Sequence, residues 1–166
     1  MTRVALMFAA LATTTVLGAC GGDEGAEMAE ETPPAAMDAP ATPTNVSPVA
    51  PPGASVEILY PTDGATVEPG GTLVVRLQAN NVPIVPAADT TSGTGHHHLF
   101  LNADVSAEGE VIPTITNEVV HMGTGASEFT FEGLPSGEHR LIAVVADYRH
   151  VPLIPWVVDT VRFVIP

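Results

Sequence analysis

From Ala54 to Pro166, Val, Ile, Leu and Phe gather in short runs separated by Gly, Pro, Asn and Asp, and no run keeps a helical repeat over three turns. That punctuation marks many short strands. It restricts these roughly 113 residues to an all-β fold, with room for one core and no second domain. The predicted strands are Ser55–Tyr60, Ala65–Glu68, Thr72–Ala79, His96–Asn102, Asn117–His121, Glu128–Glu132, Glu138–Tyr148 and Val157–Ile165. Alternation assigns their faces. Leu73, Val75, Leu77 and Ala79 share one side, Phe129 and Phe131 flank Thr130, and Val161, Phe163 and Ile165 are the inward set of the last strand. Pro61-Thr62-Asp63-Gly64 and Leu134-Pro135-Ser136-Gly137 are turn signals. About seven strands in a segment of this size fit a single immunoglobulin-like Greek-key β-sandwich.

The first 53 residues do not belong to that pattern. Met1–Cys20 carries an early positive charge at Arg3, an apolar run Val4–Ala12, and small residues before a cysteine. The apolar run is too short to span a bilayer, which takes about 20 residues, and it has the build of an export signal. Its end, Leu17-Gly18-Ala19-Cys20, resembles the lipobox of bacterial lipoproteins. The resemblance implies a signal peptide of residues 1–19, cleavage before Cys20, and lipidation of that thiol, so that the chain is anchored at the cell envelope. If the host is Gram-negative, Gly21 in place of an aspartate favours the periplasmic face of the outer membrane. Otherwise the anchor lies on the outer face of the cytoplasmic membrane. The alternative is a secreted protein cut after Ala12 or Ala19, with Cys20 a spare thiol.

Cys20 is the one cysteine in the chain, so no disulfide or thiolate metal site is available to the domain. Gly21–Gly53 then has the composition of a spacer, with seven prolines, Ala, Thr, acidic residues and no aromatic. Such a stretch buries too little apolar surface to offset its ordering entropy. Held extended by proline, it can reach up to roughly 100 Å from the membrane. Residues 20–53 are therefore read as lipidated cysteine and linker, and 54–166 as the folded domain.

Charge excludes one class of partner. Once Arg3 is removed, 19 acidic residues face Arg76, Arg140, Arg149 and Arg162, an excess of 15, and there is no lysine. Nucleic acid needs basic patches, so it is not an expected partner. The excess favours solubility and draws cations to the surface. The domain is expected to be a monomer, with the identity of any envelope partner left open.

All six histidines fall in the domain, at His96, His97, His98, His121, His139 and His150. In immunoglobulin lettering, His96–His98 open strand C after the B–C loop, His121 closes strand D, and Asp147 and His150 lie where strand F enters the F–G loop. These loops cluster at one end of such a sandwich. His139 starts strand F at the opposite end, where a structural role capping a turn is expected. Alternation turns His97 inward with Leu99 and Leu101 and puts His96 and His98 on the other face, roughly 7 Å apart at Cα, a spacing that can chelate one ion. The expected metal ligands are His96, His98, His121, His150 and Asp147. Imidazole with carboxylate suits Zn²⁺ or Cu²⁺, and Met122 would add a soft donor for Cu⁺. Each has a structural counterpart: His97 bonded to backbone in the core, Asp147 holding the F–G loop by an Asx-turn, Met122 as packing, and the cluster as a hydrogen-bonded network.

The pattern Gly95-His96-His97-His98-Leu99, His121 before a Gly-rich loop, Gly137-x-His139-x-Leu141 and Asp147-x-x-His150-x-Pro152 resembles a bacterial family catalogued as domain of unknown function 4399. The resemblance covers most of Glu57–Pro166 and uses all six histidines. It departs at Met122-Gly123-Thr124-Gly125, where an aromatic and a longer glycine run are expected, which questions the role of Met122 more than that of His121. No activity is assigned to the family, so the resemblance implies a shared histidine architecture and no reaction.

Three functions compete on these grounds. The first is an envelope-anchored protein with a histidine-rich copper or zinc site. The second is a structural or adhesion module that binds a protein or glycan without metal, using Trp156 and Tyr148 beside the loop Arg149–Pro155. The third is an enzyme similar to copper/zinc superoxide dismutase. That family needs a bridging histidine, a zinc loop and a disulfide, and none can be placed here.

Overall fold

The computed structural model describes residues 46–70 and 72–166. The signal sequence, Cys20 and the spacer as far as residue 45 lie outside the described residues. Eight strands form: β1 (Ser55–Tyr60), β2 (Ala65–Thr66), β3 (Leu73–Asn80), β4 (His96–Leu101), β5 (Val119–Met122), β6 (Glu128–Phe131), β7 (Gly137–Ala146) and β8 (Val158–Ile165). No helix occurs among the described residues, hence none long and apolar enough to cross a membrane. One sheet has the order β1-β3-β6 and the other β2-β8-β7-β4-β5. All pairings are antiparallel except β2 with β8.

The core lies between the sheets, and period-two alternation builds it. Val56 and Ile58 of β1, and Leu73, Val75 and Leu77 of β3, face Leu99 and Leu101 of β4 and Leu141, Ala143 and Val145 of β7. Val161, Phe163 and Ile165 of β8 complete it. Each large apolar side chain so buried contributes about 1.5–3 kcal/mol. The all-β sandwich expected from the sequence is therefore present.

Its strand order differs from the constant-type immunoglobulin arrangement, in which strand D lies beside E, both there and in the parallel β2 added beside β8. The strand lettered D is β5, and it hydrogen-bonds to β4 instead of β6. This pairing sets His98 directly opposite His121.

A second difference concerns the outer face of the five-stranded sheet. Phe100, Ile142, Val144 and Ala146 are buried there under Ile112, with Ala103, Val105 and Val119 packed alongside. The long β4–β5 connection crosses that face and closes it. The run Leu141–Ala146 is apolar on both sides for this reason, as strands covered on both faces are.

Contacts with the core begin before Ala54, since Ala50 is buried in it. Val49 bridges Ile154, Ile154 N–H donates to Pro48 O at 2.8 Å, and Ala50 N–H donates to Ile154 O at 2.8 Å. Residues 46–53 belong to the domain because their backbone groups find partners on the loop between β7 and β8.

Candidate metal centre

Three elements deliver four histidines to one place. His96 and His98 leave the outer face of β4, opposite Ala146 and Val144 of β7. His121 stands across from His98 on β5. His150 comes from the turn after β7, where its N–H donates to Asp147 O at 2.8 Å and its φ is +64°. A left-handed conformation is uncommon outside glycine. Here it is held from both sides, since Ile112 N–H also donates to His150 O at 2.8 Å.

Two glycines make the approach possible. A Cβ on Gly95 would fall 2.6 Å from Val145 Cγ1 and 2.7 Å from Ala146 O, so only glycine lets the start of β4 lie this close to β7. A Cβ on Gly123 would meet only the His121 ring, so it would displace that exposed side chain and leave the backbone in place. Both residues were visible in the sequence motif, but their steric role required the strand pairing.

The resulting cluster is compact. Nε2 of His98 lies 3.0 Å from Nε2 of His96, and Nε2 of His150 lies 3.2 Å from Nε2 of His121. One ring nitrogen from each of the four lies within 4.8 Å of all the others. A tetrahedral ion with metal–nitrogen bonds of 2.0–2.1 Å sets its donors about 3.3 Å apart. The His96–His98 and His121–His150 pairs differ from that by a few tenths of an ångström, and the remaining pairs lie within 4.8 Å. These four side chains are close enough to bind one metal ion.

Burial favours the neutral form of His96, His98 and His121. Desolvation pushes His96 down to about 4, helped by repulsion from His121 and His150 and opposed by the Asp147 carboxylate. Desolvation, then repulsion from His96, His121 and His150, pushes His98 down to about 2. His121, the most exposed of the four, is lowered by desolvation and by His150. An uncharged imidazole offers a lone pair, which is the form a metal ion requires. Nδ1 of His98 is buried without a hydrogen-bond partner, so its Nε2 is the nitrogen engaged with the cluster.

The other expected residues divide. Asp147 lies outside the four-histidine group. Its Oδ1 accepts from Arg149 N–H at 2.9 Å and Val151 N–H at 3.1 Å, and its Oδ2 accepts from Arg149 Nε at 2.8 Å. It shapes the turn that presents His150. Met122 is in the sandwich core beside His97, on the face opposite His121, and supplies no donor to the cluster. His97 points inward as alternation requires, its Nδ1 bonded to Ala126 O at 3.0 Å. At the far end, His139 bonds Pro135 O and the Asn102 side chain and stacks on Phe163.

The family comparison follows this histidine pattern. The model of the family described as Domain of unknown function (DUF4399) matches residues 75–165, more than half of the chain. The chain belongs to the DUF4399 family. The matched DUF4399 segment begins within β3 and contains every histidine of the cluster. Comparison with curated proteins gives no match.

What sequence reasoning missed is the cover of the site. Ile112, at 6% exposure, closes the outer face beside the histidines. Its signal was the unbroken apolar run of β7, whose outward residues needed a lid.

Proposed function

We propose that this protein is an envelope lipoprotein, lipidated at Cys20, that binds copper or zinc through His96, His98, His121 and His150. The observation that carries the reading is the convergence of four imidazole nitrogens within 4.8 Å, two of them on buried rings. With no thiolate and with Met122 in the core, the donor set is all imidazole, which favours Zn²⁺ or Cu²⁺ over the softer Cu⁺. A rigid sheet with turns tied by Asp147 and Ile112 suits a binding site whose ligands are held in advance. The function is metal handling at the cell surface or in the periplasm, with the acidic chain attracting cations to it.

The deciding experiment is metal analysis of the untagged protein after challenge with Zn²⁺ and Cu²⁺, beside a His96→Ala/His98→Ala variant. One ion per chain that disappears in the variant supports the site. Absence of uptake from both ions, with the fold intact by circular dichroism, makes the cluster structural.

A second reading has one observation in its favour. Tyr148 and Trp156 are 45% and 41% exposed at the ends of the loop that carries His150, which suits contact with a protein or glycan.

A further inference from the structure

Beside the four imidazoles lies a recess of about 220 Å³. His98, His121 and His150 line it together with Val111, Ile112 and Val119. Pro113 and Thr114 line it too, and Thr114 is exposed to solvent. His96 is not among the lining residues. Three of the four candidate ligands thus open onto one cavity, whose remaining walls are apolar apart from Thr114.

This differs from a site built only to lock an ion in place, where protein ligands close every direction. Here the ring of His121 is exposed and that of His150 half-buried. At Ile112 the lining is buried and fixed in place. Ile112 packs in the outer apolar cluster with Phe100 and Val144, and its N–H is bonded to His150 O. The wall and one of the ligands are therefore held to each other.

We propose that the ion held by these histidines takes a small neutral molecule as an additional ligand, bound through one lone-pair atom and housed in this recess. The inference rests on the metal reading above. Neutrality follows from the walls: apart from the histidines and Thr114 they are apolar, and they offer a charged guest no counter-charge. Size follows from the volume: an apolar cavity of about 150 Å³ takes benzene, so about 220 Å³ has room for a five- or six-membered ring.

The test uses the full protein loaded with Cu²⁺ and titrated with pyridine, a neutral nitrogen donor, while the electron paramagnetic resonance and visible spectra are followed. Val111→Trp and Thr114→Trp add bulk to the recess from exposed lining positions without replacing any imidazole. The expected result is a saturable spectral change in the wild type. Both variants should take up the same Cu²⁺ with the same starting spectrum, and bind pyridine about tenfold more weakly or worse. Uptake of Cu²⁺ with no response to pyridine overturns the inference alone, as does equal pyridine binding by wild type and both variants. Failure of the wild type to take up Cu²⁺ overturns the metal reading and this inference with it.

Discussion

Gly123 lies directly against the imidazole of His121: a Cβ at this position would fall 2.5 Å from Cε1 and 2.7 Å from Nε2 of that ring. The methyl group of a Gly123→Ala variant must push the ring aside, while nothing in the sandwich core is disturbed. Metal affinity should fall about tenfold or more, and the ion-free protein should keep its stability to within about 1 kcal/mol. Competition against a chromophoric chelator measures the first and urea unfolding the second. Unchanged affinity would remove His121 from the ligand set.

Asp147 offers a test of scaffold against ligand. An Asp147→Ala change leaves Arg149 N–H and Val151 N–H without their acceptor and releases the Arg149 side chain. The protein should lose about 1–3 kcal/mol and bind metal more weakly through the displaced turn. The Cu²⁺ paramagnetic resonance spectrum should nevertheless still report nitrogen donors alone. A changed donor set would mark the carboxylate as a ligand.

The buried histidines make the ion-free protein sensitive to acid. In the folded chain His96 and His98 are lowered from 6.5 to about 4 and about 2. The unfolded chain therefore binds protons first as pH falls below about 6.5, and stability follows the difference. Stability should be fully present above that pH and decline as pH drops toward 4, with His98 extending the decline further. Urea midpoints measured with a chelator present should show this slope, and it should be shallower in His96→Gln and His98→Gln. A wild-type midpoint that stays constant down to pH 5 would contradict the assignment.

Anchoring through Cys20 is tested apart from the metal site. A Cys20→Ser variant should leave the membrane fraction and lose the mass of its acyl chains, while the domain binds metal as before. Recovery of that variant in the membrane fraction would mean that something other than a lipid on Cys20 holds the chain there.

Much of the fold was legible because strand periodicity is local. The bounds of β1 were read as they occur, and the inward set Leu73, Val75 and Leu77 is buried as alternation requires. The same rule turned His97 into the core and left His96 and His98 together on the other face. Loop clustering then brought His121 and His150 to the same end of the sandwich, which is where the four rings meet. Met122 and Asp147 were harder to assign, because a residue type compatible with a ligand is equally compatible with packing or with an Asx-turn.

The sequence by itself thus determined the strands, their buried faces, and which histidines share an end. Only the tertiary structure decided that β5 pairs with β4, placing His121 opposite His98. It also decided that the β4–β5 connection folds over the outer face to build the wall at Ile112, and that residues 46–53 dock on the loop at Ile154. The physical reason is range. Alternation along one strand tells which side chains face the same way, whereas the neighbour of a strand and the cover of its outer face depend on contacts between residues far apart in the chain.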